Sequence, residues 1–278
     1  MDECQRLTRA IDAYIAKADD DLADVLTDEG YADATETVNR AARIEAEVAE
    51  ALDDELNAIL TAAERSVDLK EFADSVWQGV KLNDTLAEKL FIVFQEQLSE
   101  FMPELVSTYL TQTDKQLTLT SLSRRTTAWV DEWSEELGGL MKLTTQNEIQ
   151  TILKSGLESG ASLQTFTNAI LDSGIRDTRY RARRVAITEV LRAHSVAREE
   201  RIQQSPAVTQ KEWVHTGSYR NEPRPNHVAI SGTVVPKDEA FTLIGADGAT
   251  YYPQYPRDTN LPAGESVNCH CIHRGMAK

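Results

Sequence analysis

Apolar positions recur at helical spacing along most of this chain, and the texture changes only near residue 206. Leu7, Ile11, Tyr14, Ile15, Leu22 and Leu26 mark a first helix over 3–27, which Asp28-Glu29-Gly30 ends. Val38, Ala41, Ile44, Val48, Leu52, Leu56 and Ile59 form the stripe of a longer helix over 35–64, with acids on its other face. That helix reads as one arm of a helical bundle, with a docking helix for another protein as the alternative. Asp68 is placed to cap a helix carrying Phe72 and Trp77. Asn83 or Asp84 is placed to cap the next, whose apolar side is Leu86, Leu90, Val93, Phe94, Leu98, Met102 and Leu105. Pro103 falls late in that pattern and predicts a kink or a break there.

Residues 111–121 are polar and Thr-rich, either a linker or an N-terminal cap region for the next helix. A helix resumes over 123–141 with Trp129, Trp133, Leu137 and Leu140. Two short helices are predicted at 144–155 and 163–173. Gly160 suits a C-cap between them, Ser162 the next N-cap, and Gly174 the end of the second. A last long helix is predicted over 176–203, and Pro206 ends the helical part. Residues 210–216 then alternate like a strand around Trp213, and 223–230 read as one or two helical turns closed by Gly232. Short strands are expected at 233–235, 240–244 and 267–273, with an Asp247-Gly248 turn and an ordered loop over 249–266. The fold class expected is α+β: a long, mostly antiparallel helical region followed by a small C-terminal mixed α/β domain. The parts are an acidic helical region 1–120, a further helical part 121–205, and the small domain 206–278. Ile187, Val190 and Leu191 of the last long helix should pack toward that domain.

Charge divides the chain. Residues 1–110 hold 26 acids against 9 bases, a balance of −17, and the remainder 19 against 20, a balance of +1, which together give the net −16. DNA phosphates repel an acidic surface, so direct nucleic-acid binding through the front half is not expected. The longest apolar run, Leu90 to Phe94, is far too short to cross a bilayer. The N-terminal residues show no basic-then-apolar pattern of an export signal, and three cysteines are too few for a disulfide framework. Five arginines open the last long helix: Arg176, Arg179, Arg181, Arg183 and Arg184. They cannot all line one groove, so pairing with nearby acids is favoured over DNA binding.

The candidate chemistry is concentrated near the C-terminus. Two of the three cysteines and four of the five histidines lie between His215 and His273. The carrying motifs are Arg224-Pro-Asn-His227-Val-Ala-Ile-Ser-Gly232 and Asn268-Cys269-His270-Cys271-Ile-His273. On a strand, residues two apart share a face, so Cys269 and Cys271 can reach one acceptor, whereas a disulfide between them closes a small, strained ring. A structural zinc ion fits thiolate and imidazole donors, with Cys269, Cys271 and His227 as ligands and His273, ahead of His215, as the fourth. The plain alternative is a buried, hydrogen-bonded core of small cysteines and ordinary histidines. A catalytic reading would use His227 as base with Glu189 or Glu265 as acid. No nucleophile elbow or phosphate loop stands beside them, and catalysis is the less favoured reading.

Several motifs in fixed order resemble one family. Ser155-Gly-Leu-Glu-Ser-Gly160-Ala-Ser162 precedes a short helix. Arg184-Val-Ala-Ile-Thr188-Glu189, Trp213, Arg224-x₂-His227-x₄-Gly232, Phe241 and Asn268-Cys-His-Cys271 come after it. Over about residues 125–275 the chain resembles the phage Mu protein F-like head morphogenesis proteins of tailed phages and prophages. Where that family usually has Arg between the two cysteines, this chain has His270. The resemblance implies a minor capsid protein in the virion. Such a protein would associate with the portal protein and other capsid proteins in the host cytoplasm, assist head assembly and enter the host with the DNA. The competing expectation is a nuclease or ADP-ribosyltransferase-like effector delivered with the phage DNA. Because the chain ends seven residues after Cys271, no appended toxin domain is expected, and such chemistry would have to use the shared domain.

Overall fold

The computed structural model describes residues 21–113, 119, 121–216 and 223–277. The fold is α+β, as expected: long helices, then a small region of short antiparallel strands. Leu7, Ile11, Tyr14 and Ile15 of the first expected helix, and most of 111–121, lie outside the described residues. The chain forms two compact units. One contains 1–42, 100–126 and 184–278, and the other 43–99 and 127–183.

Helix α1 is described over 21–28 and ends where sequence chemistry says it should. Gly30 takes the left-handed conformation at φ 78°, and Tyr31 N–H bonds back to Leu26 O at 2.9 Å. Helix α2 is Ala34–Glu64, and every member of its expected stripe from Val38 to Ile59 is buried. Asp68 caps α3, Leu69–Glu71, accepting from Glu71 N–H at 2.8 Å. A π-helical turn, Phe72–Val76, joins it to α4, Trp77–Leu82. Asp84 rather than Asn83 accepts from Leu86 N–H, at 2.8 Å, where α5 (Leu86–Thr113) begins. Pro103 does not break α5, which runs on to Thr113.

The larger departure is α6, Arg124–Ser159, one helix where two were expected. The break was expected at 142–143, just before Thr144 and Thr145. Here their hydroxyls bond back to the carbonyls of Leu140 (2.8 Å) and Met141 (3.3 Å), so the polar pair is absorbed by the helix. Gly160 at φ 67° ends it, and Ser162 caps α7, Leu163–Leu171, as expected. A short 3₁₀ turn, Gly174–Arg176, leads into α8, Thr178–Gln204. The core of the second unit joins Leu56, Ile59, Phe72, Trp77, Ile149, Leu153, Phe166 and Ile170. Of the arginine cluster, Arg183 pairs with Glu45 at 3.1 Å, and Arg181 donates to the Thr145 hydroxyl at 2.8 Å.

Gly138 marks a close approach of α6 to α5: a Cβ there would lie 2.6 Å from the Ala87 carbonyl oxygen. Beside it, Gly139 has open space where a Cβ would go. Gly138→Ala is therefore expected to destabilise by about 1–3 kcal/mol, through forced separation of packed backbone. Gly139→Ala should instead stabilise by about 0.5–1 kcal/mol through helix propensity. Urea denaturation of the two variants checks this, and equal effects would remove the close-approach argument.

The C-terminal sheet runs β2-β1-β5, all antiparallel. Strand β1 is Val208–Val214, β2 is Val234–Pro236 and β5 is Ile272–Ala277, with Trp213 opposite His273. A separate hairpin pairs β3 (Leu243–Ile244) with β4 (Thr250–Tyr251) across the expected Asp247-Gly248 turn. Two one-turn helices, α9 (Pro225–Ala229) and α10 (Ala263–Ser266), flank them. Leu191 of α8 packs with Leu26, Tyr31, Ala34 and Val38, with Ile187 and Ile272 against the same cluster. Val190 is also buried.

Candidate metal centre

Each residue of the Arg224-Pro-Asn-His227 motif has a separate task. Pro225 starts α9 at the position where its missing N–H costs nothing. The Arg224 guanidinium donates to the carbonyls of Gly264 (2.8 Å) and Val267 (2.6 Å), which ties α9 to the segment before the cysteines. Asn226 donates to Glu265 Oε2 and to Ile244 O, both at 3.0 Å. Gly232, at φ 85°, sends the chain back so that its N–H reaches Trp213 O at 2.8 Å. The result is a fixed, buried His227.

The second motif is a turn before it is a strand. Asn268 adopts φ 56°, a left-handed conformation that asparagine tolerates better than most residues, and Cys269 N–H bonds to Ser266 O at 3.2 Å. Regular pairing begins only at Ile272. The strand expected over 267–273 is thus confined to its end, and His273 is not among the residues whose donor atoms cluster with the sulfurs. It packs at 3.2 Å from Glu199 and stacks on Tyr255. Burial pushes its imidazole down to about 4.

What the structure does bring together is His227, Cys269 and Cys271. Their donor atoms all lie within 4.8 Å of one another, and the group could hold a metal ion. His227 Nδ1 is 3.5 Å from Cys269 Sγ and 3.6 Å from Cys271 Sγ. His215 Nδ1 is 3.6 Å from Cys271 Sγ. In a tetrahedral zinc shell, bonds of about 2.3 Å to sulfur and about 2.0–2.1 Å to nitrogen give nitrogen–sulfur edges of about 3.5 Å. Both His227 separations match that edge, and His215 meets Cys271 alone at the same distance, outside the three-residue group.

The outer contacts support the same reading. His227 Nε2 lies 2.8 Å from Glu265 Oε2. With the carboxylate accepting there, the proton sits on Nε2 and the Nδ1 lone pair faces the sulfurs, the arrangement of a metal-ligating histidine. Burial alone would raise the Glu265 carboxyl. The Ala246 N–H, the Asn226 amide and the His227 ring outweigh burial and hold it below the usual range. The Cys271 thiol hydrogen-bonds the Cys269 sulfur and holds Cys269 well below the ordinary thiol range, while Cys271 is pushed up. Trp213 packs edge-on against His227, with ring centroids 5.7 Å apart, and Phe241 edge-on against Trp213 at 5.4 Å. Those two rings and the two cysteines form the local core.

Glu265→Gln keeps the shape of the side chain but removes the negative charge behind His227. Its expected effect is a tenfold to hundredfold loss of zinc affinity, with the fold retained. Competition against a chromophoric chelator measures it, and an unchanged affinity would remove Glu265 from the site.

The other catalytic candidate, Glu189, is engaged elsewhere. It holds Arg192 through two contacts, of 2.8 and 3.2 Å. Sequence reasoning missed the buried Arg257. It sits at φ 64° in the 249–266 loop, donates to Cys269 O and meets the Ser195 hydroxyl at 2.7 Å. It also missed the Glu29–His270 contact of 2.7 Å, in which His270 turns to a carboxylate and not to the metal cluster. No short-range sequence signal marks either one. Both link residues far apart in the chain.

An α+β chain whose C-terminal region gathers a buried Cys/His group able to hold a metal ion is the class that fold and site define. Residues 147–274, which include the whole cluster, match the family model of Phage Mu protein F like proteins. It is 36% identical over 195 residues to "Uncharacterized protein YqbB" of Bacillus subtilis (strain 168), over 70% of this chain and 63% of that protein. The chain thus spans less than two thirds of that relative's length. No solved structure is a significant match. The family points to phage head morphogenesis. Among the described residues no helix is long and apolar enough to cross a membrane.

Proposed function

We propose that the chain is a minor head protein of a tailed phage or prophage that docks at the portal vertex, assists head assembly, and carries a structural zinc. The observation that supports this most is that the family region contains the His227, Cys269 and Cys271 cluster with its Glu265 support. Thiolate and imidazole are zinc donors, and His215, next to Cys271, is the fourth ligand in preference to His273. A closed four-ligand shell serves structure. It ties α9, the Asn268 turn and the start of β5 into one body, in a region whose own apolar core is small.

The acidic helical surface fits a protein partner better than DNA, because phosphates repel it. The experiment is co-purification with portal protein from infected or induced cells, with procapsids assembled with and without this chain. Co-purification and defective heads in its absence are expected. Portal-containing procapsids that form and fill normally without the chain would overturn the assignment.

A further inference from the structure

We infer that Glu29 and Tyr31 form a clasp through which metal loading of the Cys/His centre controls the packing of the segment 26–37 on the C-terminal domain. The inference rests on the zinc reading above and adds a regulatory consequence to it.

The cysteine loop exposes three successive carbonyls, and side chains from outside the loop take all of them. Arg257 donates to Cys269 O. The Tyr31 hydroxyl lies 3.0 Å from His270 O and 3.4 Å from Cys271 O, and Thr216 also donates to His270 O, at 3.1 Å. Glu29 meets the His270 ring at 2.7 Å. Tyr31 and Glu29 come from the turn after α1, more than two hundred residues away in sequence. Gly30 aims that turn, with its φ of 78° and its carbonyl held by Arg198 at 2.5 Å. The Tyr31 ring is buried beneath the guanidinium groups of Arg198 and Arg257.

A buried phenol needs its hydrogen-bond partner, and here the partners are carbonyls of the metal-ligand loop. Those carbonyls stay in register while both sulfurs are tethered to one ion. With the ion gone, the loop between Asn268 and Ile272 is held by fewer contacts and opens more readily. The Tyr31 hydroxyl then loses its acceptors, and the turn that carries it loosens with it. Coupling of this kind is reciprocal, so weakening the clasp must weaken zinc binding by the same factor that zinc strengthens the clasp.

The test uses the full chain with Zn²⁺ alone as probe, and metal content is measured first. Chelation of the wild type is expected to raise amide hydrogen exchange in a peptide covering 26–37. Tyr31→Phe keeps the ring and removes only the hydroxyl. It is expected to retain one zinc per chain when saturated, with affinity lowered about fivefold to tenfold, the worth of one hydrogen bond. Exchange in 26–37 of the zinc-loaded variant should approach that of the chelated wild type. Glu29→Gln provides a second variant should Tyr31→Phe fold poorly, with the same direction expected. Stripping zinc without any change in exchange at 26–37, or equal zinc affinity in wild type and both variants, would overturn the clasp and leave the zinc site standing. A wild-type chain that neither carries nor takes up zinc would remove the zinc reading and the clasp together.

Discussion

Cys269→Ser, Cys271→Ser and His227→Ala should each take the purified chain from close to one zinc per molecule to less than about a tenth of that. The two sulfurs and His227 Nδ1 supply three of the four donors, and a shell with one strong ligand removed loses the chelate that makes structural zinc tight. The loss carries into stability because the ion cross-links parts of the chain that share few apolar contacts. The local core is Trp213, Phe241 and the two cysteines, with Ile230 and Val235 at its edge. A destabilisation of more than about 3 kcal/mol is expected, since loss of a structural metal is among the few single changes with effects that large. For a chain of this size that is a fall in melting temperature of roughly 6–12 °C. Chelator should reproduce the effect in the wild type. His215→Ala should weaken binding without abolishing it, because His215 approaches only Cys271 while the His227, Cys269 and Cys271 group stays intact. His273→Ala should leave the zinc content unchanged, because His273 faces Glu199. Elemental analysis and thermal melts decide between these outcomes. A wild type with less than roughly a tenth of a zinc per chain, and melting indifferent to chelator, would make the cluster a buried, hydrogen-bonded core without metal.

The legible parts of this fold are those fixed by local rules. The stripe from Val38 to Ile59 is buried as read, because one helix face must leave water whatever it packs against. Gly160, Ser162 and Asp68 cap as read, because orphan backbone groups need partners within a turn. The break expected before Thr144 is absent, and the Thr144 and Thr145 hydroxyls bond back within one continuous helix. At the metal cluster, the residue types and the pairing of His227 with the cysteines could be read from chemistry. The position of His273 could not be read: regular pairing starts at Ile272, and His273 lies 3.2 Å from Glu199. Arg257 and Tyr31 were invisible for another reason: their partners are backbone carbonyls, which no residue type announces.

Replacement of Lys211 by methionine should cost about 3–5 kcal/mol, because it leaves a buried carboxylate without its cation. Lys211 lies on β1 with no exposure at all, and its ammonium meets Glu199 Oε1 at 3.1 Å and Gln254 through two oxygens at 2.9 Å. Glu199, on α8, is 1% exposed and also takes Gln203 at 2.9 Å, with His273 3.2 Å away. All three ammonium protons are therefore used, and the pair joins α8 to β1. Burial alone would raise the Glu199 carboxyl. Contacts with His273, Lys211 and Gln203 outweigh it and bring it down to about 2. A carboxyl lowered on folding stabilises the fold in its charged form. The stabilisation is fully present above the ordinary carboxyl range, near 4.5, and is lost as the pH falls from there toward 2. In Lys211→Met that acid-labile portion should shrink, so the variant's stability should depend less on pH between 4.5 and 2 than the wild type's. The double variant Glu199→Gln with Lys211→Met should recover most of the loss, because neither charge is then left stranded. Urea unfolding at neutral and acidic pH measures all three chains. If Lys211→Met and the double variant were equally unstable, the stranded charge would not be the cause, and packing of the lysine stem against Phe241 would be.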